Sequence, residues 1–219
     1  MKSIIFIAPP AAGKGTHSML VKEEYNIPSI STGDLLRAAR NEDSLIGEKI
    51  RKAQDSGLLV DDDIVIELLK QRLNKEDCYN GYILDGFPRN IEQAKAYDEL
   101  LQEINKELGF VIYIDVDKEL AKKRTLGRLS CSNCGSVYND MIDESKPKNN
   151  GYCDKCNSAL SKRSDDNEET FDIRFDTYIE QTKPLIDYYN GKGVLYTVDG
   201  SINKFITFEE IKKILNGGD

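Results

Sequence analysis

Residues 8 to 16 read Ala8-Pro9-Pro10-Ala11-Ala12-Gly13-Lys14-Gly15-Thr16. A glycine-bearing turn of this kind, placed between a strand and a helix, aims backbone N–H groups and a helix N-terminus at phosphate, and its lysine reaches the terminal phosphoryl group. The strict GxxxxGK[ST] pattern is not met, because Ala8 stands at the first glycine and Thr16 comes one residue late. On these residues alone an ordinary strand-to-helix turn is the alternative. A second group suits metal chemistry. Cys131 and Cys134 form one CxxC pair, and Cys153 and Cys156 form another after 18 intervening residues. Four thiolates on this spacing suit a closed, tetrahedral, structural Zn2+ site. Two disulfides or Fe2+ are the alternatives, the first disfavoured in a reducing compartment. The third group is guanidinium. Arg37, Arg89, Arg124, Arg128, Arg163 and Arg174 are six of the nine arginines, and the fork of each matches phosphate in a bidentate way. Arg124 and Arg128 are four apart, which puts them on one face if both are helical.

These groups need a scaffold. KSIIFIA (residues 2 to 8) is a continuous apolar run that ends in the Pro/Gly loop, as a buried parallel strand does. A helix is predicted from Lys14 to Tyr25. Further strands are predicted in 27–31, 81–87, 110–116 and 194–200, each separated by enough chain for a crossover helix. The alternation predicts an α/β fold, a five-stranded parallel sheet with helices on both faces, whose ligands bind at the C-terminal edge of the strands. Two segments break the pattern. Residues 31–60 open on Ser31-Thr32-Gly33-Asp34, a capping-box spacing with Asp in place of Glu, and continue as helix without a strand. Residues 128–164 are polar, contain both CxxC pairs, and have too few large apolar side chains to bury a core, so a metal clip has a structural motive there.

Four more segments accompany the loop: STGDLLR (31–37), DGFPR with Gln93 (85–93), RTLGR (124–128) and KRSDD (162–166). In order and spacing, over nearly the whole chain, they resemble the adenylate kinase family, in its bacterial form with a long, metal-binding lid. The resemblance implies a P-loop NTPase-like core of residues 1–30, 61–126 and 165–219, an AMP-binding insertion at 31–60, and a zinc-binding lid at 127–164 hinged near Gly127 and 164–169. It implies reversible Mg2+-dependent phosphoryl transfer from ATP to AMP, giving two ADP. Lys14 with the amides of Ala11, Ala12, Gly13, Gly15 and Thr16 would hold the donor phosphates. Arg124 and Arg128 would grip the donor, with Val137, Tyr138 and Ile202 beside its base or ribose. Arg37 and Arg89 would hold the acceptor phosphate, with Gly86, Phe87 and Pro88 in the same turn. Arg163 and Arg174 would bridge towards the transferring group. Thr32, Leu58, Leu59, Val60 and Gln93 would recognise the acceptor adenine, and Asp85 would orient Mg2+ through water. Thr32 and Gln93 match the AMP enzymes rather than the pyrimidine-nucleotide kinases of the superfamily. Asp165 and Asp166 are either closure contacts or solvated hinge acids.

Bulk properties narrow the alternatives. The chain has 219 residues and a net charge of −8, so a whole-protein nucleic-acid binder is disfavoured and positive charge must be concentrated locally. The cysteine segment, counted with four thiolates and one Zn2+, is neutral, which argues against a zinc ribbon that binds nucleic acid. A related nucleoside monophosphate kinase, or an ATP-binding module without turnover, are the remaining alternatives. No apolar run approaches the roughly 20 residues of a membrane span, and the N-terminal run is too short for a signal peptide, so a cytoplasmic protein is expected; the resemblance implies a monomer. His17, the one histidine, is expected to be exposed. Cys78, Tyr188 and Tyr189 are expected to pack in the core.

Overall fold

The computed structural model describes residues 2–55, 60–163 and 166–217. β1 (Ser3–Ile7) leads through the loop into α1 (Lys14–Tyr25), β2 (Ser29–Ser31), α2 (Thr32–Arg40), α3 (Leu45–Asp55) and α4 (Asp62–Leu73). β3 (Tyr82–Asp85), α5 (Ile91–Glu103), β4 (Phe110–Asp115) and α6 (Lys118–Leu126) follow. Then come three short strands, β5 (Arg128–Cys131), β6 (Val137–Asn139) and β7 (Leu160–Ser161). α7 (Glu168–Thr177), α8 (Pro184–Gly191), β8 (Leu195–Asp199) and α9 (Lys204–Leu215) complete the described chain.

β1, β2, β3, β4 and β8 form one five-stranded sheet in the order β2-β3-β1-β4-β8, and every pairing in it is parallel. The sheet is buried on both faces, so its strands are continuous apolar runs whose alternate residues serve different cores. Ile5 and Ile7 face the core built by α4, α5 and α8, whereas Ile4 and Phe6 face the one built by α1, α6, α7 and α9. Strand order reverses beside β1: the chain moves outward to β3 and β2 on one side and to β4 and β8 on the other. That switch point opens a crevice at the C-terminal ends of the strands.

The two excursions take different routes to stability. α2 and α3 rest on α4 through Ala39, Ile50 and Leu68, and Ser31 caps α2 by accepting from the Asp34 N–H at 3.3 Å. The cysteine segment folds as a small antiparallel sheet, β6-β5-β7, which its polar composition did not announce. Arg124 and Arg128 do not share a helix face, contrary to the expectation from their spacing. α6 ends at Leu126, Gly127 caps it, and Arg128 opens β5. The exit is tight: Asp140 N–H donates to Gly127 O at 2.8 Å, and a methyl group on Gly127 would sit 2.3 Å from Asn139 Oδ1 and 2.8 Å from Met141 Cγ. Gly127→Ala is therefore expected to destabilise the protein by roughly 1–3 kcal/mol, as overpacking does, measured as a lowered urea midpoint with an unchanged slope.

Candidate active site and metal centre

α1 begins where a phosphate cradle should. Its N-cap, Gly13, has φ 97°, no side chain caps the first-turn amides, and no acidic residue lies in that turn. The uncapped N–H groups and the positive end of the helix dipole together favour an anion. Ala11 has φ 59°, a left-handed conformation that costs an L-residue roughly 1–2 kcal/mol. An alanine at this position thus carries a strain that glycine would not.

Sheet register brings the partners in. β1 lies beside β3, so Lys14, just past β1, meets Asp85 at the end of β3, with Nζ to Oδ1 2.8 Å. Gly86 follows with φ 77°, and a Cβ there would lie 3.5 Å from Arg89 Nη2 and 3.9 Å from Lys14 Nζ. Lys14, Asp85, Gly86 and Arg89 therefore converge. Phe87 and Pro88 in the same turn are buried. Arg89 is anchored at its Nε, which donates to Gly86 O at 2.9 Å, and at its carbonyl, which accepts from Thr182 Oγ1 at 2.9 Å. Thr182 ends a π-helical turn, Tyr178–Thr182, between α7 and α8.

A second cluster lies one strand over, because Ser31 of β2 is paired with Asp85. Thr32 there is buried. The Gln93 amide is held from both ends: Oε1 accepts from Arg89 N–H at 2.8 Å and Nε2 donates to Asp62 Oδ1 at 2.7 Å. Arg37 is paired with Asp34, and Val60 packs against the α2–α4 contact. Leu58 and Leu59 lie outside the described residues. Asp62 was not anticipated from the sequence, where one acid in the Asp61-Asp62-Asp63 run carries no distinguishing signal; Asp34 was expected as the capping-box acid but not as the partner of Arg37.

On the other side of the switch point, Arg124 Nη1 donates to Gly200 O at 2.8 Å, beside the partly buried Ile202. Arg128 is gripped by Asp166: Nε donates to Oδ2 at 2.8 Å and Nη2 donates to Oδ1. The Asp166 side chain is 0% exposed, so of the two readings left open it is a buried partner and not a solvated acid. Asp165 lies outside the described residues. Val137, Arg163 and Arg174 are exposed.

The four cysteines come together. All four Sγ atoms lie within 4.8 Å of one another. Cys131 to Cys156 is 3.4 Å and Cys134 to Cys153 is 3.5 Å. These are free thiols, which removes the disulfide alternative, and the spacing suits the edges of about 3.8 Å of a tetrahedron with Zn–S near 2.3 Å. Two like-shaped turns present them. Gly135 N–H donates to Cys131 O and Asn157 N–H to Cys153 O, at 3.0 and 2.8 Å, with Gly135 at φ 72° and Asn157 at φ 58°. Hydrogen bonds to Ser158 lower Cys156 to about 5, towards the thiolate form that binds metal.

The family model described as adenylate kinase matches residues 6–194. The chain belongs to the adenylate kinase family. It is 46% identical to the adenylate kinase of Archaeoglobus fulgidus, over 97% of both chains. It is 44% identical to that of Thermosipho africanus, over 97% of this chain and 99% of the relative. To that of Geobacillus sp. (strain WCH70) it is 40% identical, over 98% and 99%. Among the described residues no helix is long and apolar enough to cross a membrane.

One expectation fails inside this adenylate kinase framework. His17, in the first turn of α1, is buried at 3% exposure. Its ring edge stands 3.5 Å from where a Cβ on Gly13 would be. Of the three residues expected in the core, Tyr189 and Cys78 are buried and Tyr188 packs against the same core partly buried. Burial, then the charges of Arg124 and Lys204, lowers His17 to about 4. The unfolded chain, with a histidine near 6.5, binds the proton first as pH falls. Stability from this group is full above about pH 6.5, declines towards pH 4 and is flat below. Between pH 7 and pH 4 the wild type is expected to lose roughly 3 kcal/mol more than His17→Gln, read as the difference between their urea-unfolding free energies at the two pH values. Equal losses would exclude the histidine as the cause.

Proposed function

We propose that this chain catalyses reversible, Mg2+-dependent transfer of the terminal phosphoryl group of ATP to AMP, giving two ADP. The observation that carries the reading is the convergence of Lys14, Asp85 and Arg89 around Gly86 at the mouth of the uncapped α1. Phosphoryl transfer asks the protein for positioning and for positive charge around the equatorial oxygens, with little covalent help.

In this reading Lys14 leaves Asp85 for the donor phosphates, which the loop amides from Ala11 to Thr16 also hold. Arg89 and Arg37 take the acceptor phosphate. Arg37 sits on α2, whose capped start also places Thr32. The Gln93 amide, already oriented by Asp62 and by the Arg89 N–H, reads the acceptor base along with Thr32, Leu58, Leu59 and Val60. Arg124 and Arg128 hold the donor at the root of the cysteine segment, with Val137 and Ile202 flanking its base or ribose, whereas the Tyr138 hydroxyl, expected beside them, is turned to Cys153. Arg163 and Arg174 close on the transferring group. The Asp85 carboxylate, partly exposed at a strand end beside Lys14, suits a hydrated Mg2+, which would supply charge neutralisation at the phosphates.

Residues 31–60 act as the acceptor-binding insertion and 127–164 as a lid, and the two close to keep water from the donor. The four cysteines hold a structural Zn2+ in place of a lid core. The same reading makes the protein a cytoplasmic monomer that does not bind nucleic acid.

Lys14→Ala and Arg89→Ala are each expected to lower kcat by roughly 100-fold or more while the unfolding midpoint stays near wild type. In a coupled assay of ADP formation from ATP, AMP is expected to be the acceptor by a wide margin. Comparable turnover with CMP or UMP would replace the AMP assignment with another nucleoside monophosphate kinase.

A further inference from the structure

We infer that β6 is a strut between the four-cysteine centre and the donor end of the active site, with Tyr138 as the positioning residue at the cysteine end and Asn139 at the other. The inference rests on the reading of the cysteines as a metal site.

The Tyr138 hydroxyl stands in the cluster. The Asp154 N–H donates to its oxygen at 2.9 Å, and Cys153 Sγ lies 3.4 Å away. A metal-bound Cys153 is a thiolate with no proton to give. The hydroxyl's single hydrogen then goes to sulfur, while its oxygen accepts from Asp154. Both capacities of the hydroxyl are thereby used, one on a ligand and one on the turn that carries it. Outer groups that orient a metal ligand typically contribute 10- to 100-fold in metal affinity.

Successive side chains of a strand point to opposite faces, so Asn139 looks the other way. It is buried, at 6% exposure. Its Nδ2 donates to the carbonyl of Arg124 at 2.9 Å, and its Oδ1 accepts from Met141 N–H at 2.9 Å. Through β5, Asn139 is also paired with Arg128. One residue therefore clasps the backbone of one donor-binding arginine and lies in register with the other. Tyr138 and Asn139 are joined by one peptide bond, so a shift of the Cys153 turn is carried into the end of α6. No sequence signal marks this: VYN reads as three residues of any exposed strand.

The test compares wild type and Tyr138→Phe, a change that keeps the ring and removes only the hydroxyl. Both are loaded with Zn2+ and challenged with graded chelator while metal release is followed by absorbance. The KM for ATP and for AMP are then measured on loaded and on stripped samples. Tyr138→Phe is expected to give up zinc at about ten-fold lower chelator or less. Its KM for ATP should rise with KM for AMP unchanged, and stripping should add less to that rise than it does in wild type, because the two changes act on one connection. Stoichiometric zinc in wild type together with equal chelator resistance in Tyr138→Phe would overturn the strut and leave the metal reading standing. So would a parallel rise of both KM values. A wild type that takes up no zinc by elemental analysis would overturn the metal reading, and the strut with it.

Discussion

The parallel register between β1 and β3 is the constraint on which the rest of the site depends. It fixes the distance between the end of one strand, where the phosphate loop turns into α1, and the end of the next, where Asp85, Gly86 and Arg89 follow one another. A slip of one residue would turn every side chain of β3 to the opposite core. Tyr82 and Leu84 would then leave the α4–α5–α8 face that they fill. Hydrophobic burial thus sets the position of Asp85 against Lys14 to a fraction of a strand repeat. The chemistry inherits its precision from apolar packing on both faces of the sheet.

An acidic protein that handles polyphosphates must keep its cations available without letting them repel one another. In this structure, carboxylates hold them. Lys14 rests on Asp85, Arg37 on Asp34 and Arg128 on Asp166. The first two pairs are a third or more exposed, and such pairs contribute only about 0–1 kcal/mol. A phosphate that arrives with more charge and more acceptor oxygens displaces those carboxylates at little cost. The Arg128–Asp166 pair differs, with side-chain exposures of 14% and 0%. Breaking it would leave a buried carboxylate without its partner, which is expensive. Arg128 is therefore held on Asp166, its guanidinium oriented at the root of the small sheet.

Much of this was legible in the sequence, and the reason is periodicity. A continuous apolar run marked β1, short β-rich stretches separated by helix-length segments marked the other four strands of the large sheet, and the helix from Lys14 to Tyr25 coincides with α1. The cysteine spacing announced a cluster, because CxxC places two sulfurs on one turn whatever surrounds it. What failed depended on contacts between distant parts of the chain. His17 looked exposed because polar residues on helices usually are, and its burial near Gly13, Arg124 and Lys204 depends on parts of the chain far away in sequence. Arg124 and Arg128 looked like one helical face because nothing local says that the exit at Gly127 must be so close to Asn139. The small sheet was missed because β5, β6 and β7 run four residues or fewer, too short for an alternating pattern to emerge. Asp62, Asn139 and Asp166 hold Gln93, the Arg124 carbonyl and Arg128 from parts of the chain that no spacing rule connects.

The irregular phosphate loop follows from the same geometry. Of the positions where a glycine is customary, Ala8 is partly buried against the α1–α6–α9 core, so a methyl group there is packed and not merely tolerated. Ala11 has φ 59°, inside the small left-handed region that an L-residue can enter at a modest cost. Gly13 has φ 97°, outside that region, where a Cβ would meet the backbone itself. The loop therefore needs glycine where Gly13 stands and prefers it where Ala11 stands. Its shape is set by the requirement to end β1, clear the buried His17 and start α1 with its amides uncapped. A pattern that counts glycines measures that requirement indirectly, which is why the chain departs from the pattern while keeping the shape.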